Sequence, residues 1–209
     1  MTQPTYVAFL ADVVASRART PRARAALQQR LRTLARDINT RFRAQLAARA
    51  AITLGDELQA LFRSAAPLWQ AAHELRLALP DVEWVVACGN GGLTTPLHHG
   101  ATAPELDGPC FHAARAALDA AKAGGLVFAF GGFEPAVDGY AQYYSALYRG
   151  WSAGQRLLAN AQRARPAAKL KELSRLLGIA PTSISHRRRR MAWPLVVRGD
   201  TMFQEVLAR

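Results

Sequence analysis

The sequence predicts an α+β protein: a two-layer sheet domain followed by a small all-α helix-turn-helix module. Three observations predict it. Short runs of β-forming apolar residues alternate with segments of helical apolar spacing over residues 6–130. Beyond them the strand signals stop and only helical periodicity is left. The basic charge then collects toward the C-terminal end.

The elements follow in order. Tyr6–Val14 is a nearly continuous apolar run and reads as a buried central strand. Thr20-Pro21 opens a helix, with Thr20 as N-cap and Pro21 at the first helical position. Leu27, Leu31, Leu34, Ile38 and Phe42 continue it at helical spacing. Ala50–Leu54 and Glu57–Phe62 read as two strands joined at Gly55-Asp56, a tight-turn signal. A second helix spans about 65–79 and stops at Pro80. Val82–Gly89 is a third strand; Asn90-Gly91-Gly92 reads as a turn or bulge, and Leu93–His99 as an extended continuation. Asp107-Gly108-Pro109 precedes a third helix from Cys110 to about Ala123, with Gly124-Gly125 as its C-cap. Leu126–Phe130 is the last strand. One helix carrying Tyr140, Tyr143, Tyr144, Tyr148 and Trp151 connects to the tail. The expected organisation is a sheet domain over 1–136, a connecting helix over 137–163 and a helix-turn-helix module over 164–209.

Composition narrows the class. With 50% hydrophobic and 20% charged residues in 209, the chain is neither disordered nor a coiled coil. Cys88 and Cys110 form no metal motif or disulfide framework and read as free thiols in a reducing compartment. The N-terminus lacks a basic leader, and no apolar run approaches the ~20 residues of a membrane span. The expectation is a cytoplasmic protein with no membrane partner. Lys+Arg outnumber Asp+Glu 27 to 15, a net charge of +12. Residues 161–209 hold 11 of the basic and 3 of the acidic residues, a net of +8, so the excess is concentrated in the tail. That localisation points to a polyanion.

Within the tail, Lys169–Leu177 is amphipathic, Gly178 ends it, and Pro181-Thr182 starts a second helix. Gly178 suits the positive φ of a sharp turn, while Ile179 and Ile184 would lock the helices together. The second helix then presents Thr182, Ser183, Ser185, His186, Arg187, Arg189 and Arg190, whose hydroxyls and guanidinium groups suit base edges and phosphates of double-stranded DNA. Arg188 falls where such helices often carry an apolar residue, which calls for a rotated helix or a stem that covers apolar surface. Pro194–Val197 and Met202–Leu207 either supply part of a homodimer contact or fold back on the module.

At the other end, Asp12 closes the first strand, and Asp56 and Glu57 lie at the hairpin tip. Brought together, Asp12 and Asp56 would suit Mg²⁺, which takes hard oxygen ligands. Otherwise they are a cap and a turn residue. Two adjacent carboxylates need a cation between them, and Arg17 and Arg115 are candidates. His98-His99 lies in a loop without Cys or Asp partners at ligand spacing, His112 and His186 read as helix residues, and Gly89-Asn90-Gly91-Gly92 lacks the Lys of a phosphate-binding loop.

Three blocks resemble the SatD family: Ala11–Arg17, Thr53–Gln59 and Asp107–Arg115, together with the tail helices closing on Trp193. More distantly, the sheet domain resembles the palm of nucleotide cyclases and diguanylate synthases, which implies a palm-like (ferredoxin-like) arrangement of its two layers. That resemblance implies metal-binding roles for Asp12 and Asp56 and a nucleotide-binding role for Arg115. The position of the cyclase Asn holds Phe111 instead, and Ile52 stands near the purine-reading position. The expected function is a DNA-binding transcriptional regulator whose N-terminal domain senses a nucleotide or Mg²⁺. The alternatives are a Mg²⁺-dependent nucleotide-converting enzyme with a nucleic-acid-binding tail, and a dimerising adaptor.

Overall fold

The computed structural model describes residues 4–15, 20–53 and 55–209. Strands β1 (Tyr6–Val13), β2 (Leu46–Ile52), β3 (Glu57–Phe62), β4 (Trp84–Gly91) and β5 (Phe128–Gly131) form one sheet in the order β2-β3-β1-β4-β5. Only β4 and β5 run parallel. Strand β1 is central, as its continuous apolar run requires: Phe9 stands between Ala60 on β3 and Cys88 on β4.

Helices α1 (Pro21–Arg41) and α2 (Leu68–Ala78) precede α3 (Pro109–Gly124). Thr20 caps α1 by accepting a hydrogen bond from Ala23 N at 3.3 Å. The residues α1 buries are Leu27, Leu31, Leu34, Ala35 and Ile38, so its inward face follows the spacing read from the sequence. Each buried Leu or Ile contributes about 1.5–3 kcal/mol of transfer free energy. The two faces of the sheet are covered differently. Val7, Phe9, Ala11, Leu58, Phe62, Val86 and Phe128 meet α1, α2 and the C-terminal helices. Ala8, Leu10, Leu61, Val85, Ala87 and Ala129 meet α3.

Helix α3 seats on glycines. A Cβ at Gly89 would overlap the Cys110 carbonyl and the Ala114 nitrogen, and one at Gly131 the Ala113 carbonyl. Gly89 and Gly131 face each other in register. Glycines inside strands mark close backbone approach, so the cluster around Gly89 is a helix seat, and β4 continues through Asn90 to Gly91 without turning. Gly108, at φ +152, leads into α3 where a side chain would strike Leu93 Cα and Thr94 N. The Asp107 carbonyl accepts from Thr94 N at 2.9 Å, and Asp107 N donates to Thr95 Oγ1 at 3.0 Å. The segment expected to be extended, Leu93–His99, is therefore a loop pinned to the start of α3, and beyond it Thr102 makes a single bridge to Arg49 on β2. Strand β2 begins at Leu46 rather than at Ala50, and its register against β3 shifts twice along its length.

The expected connecting helix is two helices, α4 (Pro135–Gly150) and α5 (Ala153–Ala164). The break falls at Trp151-Ser152, where the Ser152 hydroxyl accepts from Gln155 N and the Gln155 side chain accepts from Ser152 N. Helices α6 (Leu170–Leu177), α7 (Pro181–Arg190) and α8 (Trp193–Leu207) complete the chain. Their buried residues Leu173, Ile184, Trp193 and Phe203 belong to the same hydrophobic core as the sheet face above. Among the described residues no helix is long and apolar enough to cross a membrane. Cys88 and Cys110 are both free and buried.

Candidate functional site

Two charged regions carry the candidate chemistry. The first lies where β1 ends beside the start of β3. The register pairs Asp12 with Glu57 directly. Like charges opposite each other on one sheet face repel. Helix α3 offsets them with two cations two turns apart. Lys122 Nζ lies 2.8 Å from Asp12 Oδ2, and Arg115 grips Glu57 with both terminal nitrogens at 2.6 and 2.7 Å. Gln59 Nε2 also donates to Glu57 at 2.7 Å. Burial alone would push the Glu57 carboxyl up, but the hydrogen bonds from Arg115 and Gln59 and the charges of Arg115 and Lys122 hold it below the ordinary range.

Asp56 borders the same hollow as Asp12, together with Lys122, Gly125 and Arg149. The two carboxylates singled out by the sequence thus share one surface depression, while Arg115 is engaged by Glu57. Lys122 is the cation that the sequence reading missed; its signal was its spacing of seven from Arg115 on one helix. Arg17 lies outside the described residues. Among the described residues no group of three or more His, Cys, Asp and Glu side chains stands ready to hold a metal ion. A divalent cation at Asp12 would have to displace Lys122.

The second region is the helix-turn-helix. Gly178 ends α6 in the left-handed conformation at φ +63, and Ser174 Oγ donates to the Ile179 carbonyl at 2.7 Å to close the turn. Ile184 is fully buried behind α7, so Thr182, Ser183, Ser185, His186, Arg189 and Arg190 are exposed. Arg187 is not on that open face: it is half-buried and donates to the Gly154 carbonyl at 3.2 Å. Arg188 is half-buried as well. With the Gln162 amide oriented to accept, its oxygen meets Arg188 Nε at 2.9 Å and Trp193 Nε1 at 3.1 Å. The stem of Arg188 stands where an apolar residue was expected, in the wall of a cavity of about 710 Å³ that Trp69 and Trp193 also line.

The tail is mounted through a buried arginine. Arg163 on α5 is 7% exposed. Its Nε and Nη2 donate to Asp200 on α8, each at 2.8 Å, and its Nη1 donates to Tyr144 Oη at 3.0 Å. Tyr140 Oη also donates to Asp200, at 3.0 Å. The guanidinium lies 4.5 to 5.6 Å from the ring centres of Tyr144, Trp69, Trp193 and Trp151. Phe203 stacks on Tyr140 at 4.1 Å. Helix α8 is therefore folded back on the core through Phe203 and Leu207, while Leu195 and Met202 stay exposed at 67% and 63%.

His73, absent from the sequence reading, is fully buried near this network. Its Nδ1 lies 3.2 Å from Asn160 Oδ1. Burial first, then the charges of Arg163 and Arg76, hold its pKa well below the usual histidine range.

Comparison with known proteins adds the following. A solved structure of a bacterial light-regulated adenylyl cyclase is similar over 62% of this chain and 77% of its own, with 13% identity and a TM-score of 0.46. A second structure of a bacterial light-regulated adenylyl cyclase is similar over 60% of this chain and 42% of its own, with 13% identity and a TM-score of 0.44. No curated protein matches. The SatD family model matches residues 6–123, which is more than half of the chain and runs from β1 nearly to the end of α3; the chain belongs to the SatD family.

Proposed function

We propose that this protein binds double-stranded DNA through α7 and acts as a cytoplasmic transcriptional regulator. The observation that carries the reading is the open face of α7. Hydroxyl, imidazole and guanidinium groups stand in solvent there, on a helix anchored from behind by Ile184 and Met191. The charge of the tail supports it. Of its eleven basic residues, Arg163, Arg165, Arg187 and Arg188 are engaged within the fold, and Arg165 grips Glu74. Lys169, Lys171, Arg175, Arg189, Arg190, Arg198 and Arg209 remain exposed. Duplex binding measured by fluorescence anisotropy across a salt series tests the reading. Arg189→Ala/Arg190→Ala should weaken binding and reduce the salt slope by about 2, since each phosphate contact contributes roughly 0.9. Unchanged affinity and slope would remove the assignment.

A second reading, a sheet domain that senses or converts a nucleotide with Mg²⁺, is favoured by the shared hollow of Asp12 and Asp56. Mg²⁺ would then raise the melting temperature by mass action on the folded state. The rise should shrink in Asp12→Asn and in Asp56→Asn. Equal shifts in all three proteins would exclude these carboxylates. Nucleoside triphosphate consumption that depends on both would mark an enzyme.

A further inference from the structure

Arg76, near the end of α2, is as deeply buried as Arg163, at 3% exposure. The two are satisfied differently. Arg163 faces Asp200, whereas Arg76 donates to backbone carbonyls: Val127 at 2.7 Å, and Trp84 and Ala72 at 3.4 Å. Its guanidinium also lies 5.0 Å from the Phe128 ring centre and 5.4 Å from that of Tyr148. A buried charge is costly unless something of opposite sign meets it. Arg76 forms part of the wall of a hollow of about 400 Å³, together with Arg149 and Arg156. Arg156 packs on the same ring, 5.7 Å from the Tyr148 centre. The first turn of α5 borders the hollow through Ala153, which adds the positive end of a helix. Trp84 also lines it, and its buried Nε1 has no acceptor. Two acids are present in the wall. Asp81 is held by Arg30 at 2.5 and 2.8 Å, and Glu83 is exposed.

We propose that this hollow binds a phosphate dianion, with Arg76 in its wall matched by Arg149 and Arg156. Guanidinium groups offer phosphate paired donors in a planar fork, which suits a hollow lined by three arginines. The volume is within the range of small-molecule sites, roughly 300–1,000 Å³, so it accommodates either free phosphate or a phosphorylated small molecule. Arg149 and Val14 border both this hollow and the one that holds Asp12 and Asp56. The site stands independently of the DNA-binding reading.

The test is thermal unfolding of the full chain with inorganic phosphate, adenosine monophosphate or adenosine, each against sodium chloride at equal ionic strength. Phosphate or the monophosphate should raise the melting temperature, and adenosine alone should not. A larger shift with the monophosphate identifies a phosphorylated small molecule, and a shift at least as large with inorganic phosphate identifies the free ion. Arg149→Gln/Arg156→Gln, chosen because neither residue is fully buried, should raise the apparent Kd at least tenfold and leave duplex affinity unchanged. The proposal is overturned if no phosphate species shifts the wild type. It is equally overturned if the double variant shifts as the wild type does while Arg189→Ala/Arg190→Ala abolishes the effect, because the ion would then be on α7.

Discussion

Arg163 and Arg189 belong to the same arginine-rich C-terminal region and do opposite work. Arg163 is enclosed by four aromatic rings and spends its charge on Asp200, fixing α8 to α5 and α4. Arg189, on α7, is exposed. The contrast teaches that the net charge of a segment overstates what it offers a partner. A guanidinium that neutralises an internal acid contributes to folding, and only one left in solvent contributes to the field a polyanion meets.

The largest effect should come from breaking the buried side. Arg163→Met leaves Asp200 without its cation and should cost about 3–5 kcal/mol in urea unfolding, while Arg163→Met/Asp200→Leu should recover much of that loss. A single variant less than about 1 kcal/mol below wild type would mean that the pair does not hold α8.

An intermediate effect follows from His73, whose proton is opposed by burial and by the buried arginines beside it. The folded state refuses a proton that the unfolded chain accepts below its ordinary value of 6.5. Stability is therefore full above that pH and falls as the pH drops below it, by about 1.4 kcal/mol per pH unit until the folded group titrates. His73→Gln should flatten this part of the pH dependence between pH 6 and 5. An identical slope in both proteins would place the proton uptake elsewhere.

The smallest effect sharpens the contrast. Arg189→Ala/Arg190→Ala should change stability by no more than about 1 kcal/mol, because exposed side chains outside ion pairs carry little of the fold and a cation in the last helical turn contributes only a fraction of a kcal/mol. A large loss would show that α7 also uses these arginines to fold.

The sheet was legible because its signals are local. Thr20-Pro21 starts α1, the apolar run of β1 marks a central strand, and Gly178 ends α6. Element ends were less legible where pairing overrode composition, as at β2, whose register slips against β3. The Trp151-Ser152 break between α4 and α5 was written as a Ser-x-x-Gln cap, and the aromatic periodicity running through it hid the signal. The candidate sites were only half legible. Asp12, Asp56 and the exposed residues of α7 could be named as candidates, and Lys122 could have been, from its spacing on the helix of Arg115; His73 and Arg76 could not, since nothing near them in sequence reveals what they meet.

The sequence by itself determined most of the helices and all five strands of the sheet, where α6 turns into α7, and that cationic side chains concentrate in the tail. Those properties depend on side-chain periodicity, caps and composition, which act between neighbours a few residues apart. The tertiary structure decided which charges are free. Strand register set Asp12 against Glu57, and the glycine seat brought α3 close enough for Lys122 and Arg115 to answer them. Packing of α5 on α2 and of α8 on α4 enclosed Arg163 and left Arg189 outside. A charge's partner is fixed by contacts between residues far apart in the chain, and those exist only once the core has closed.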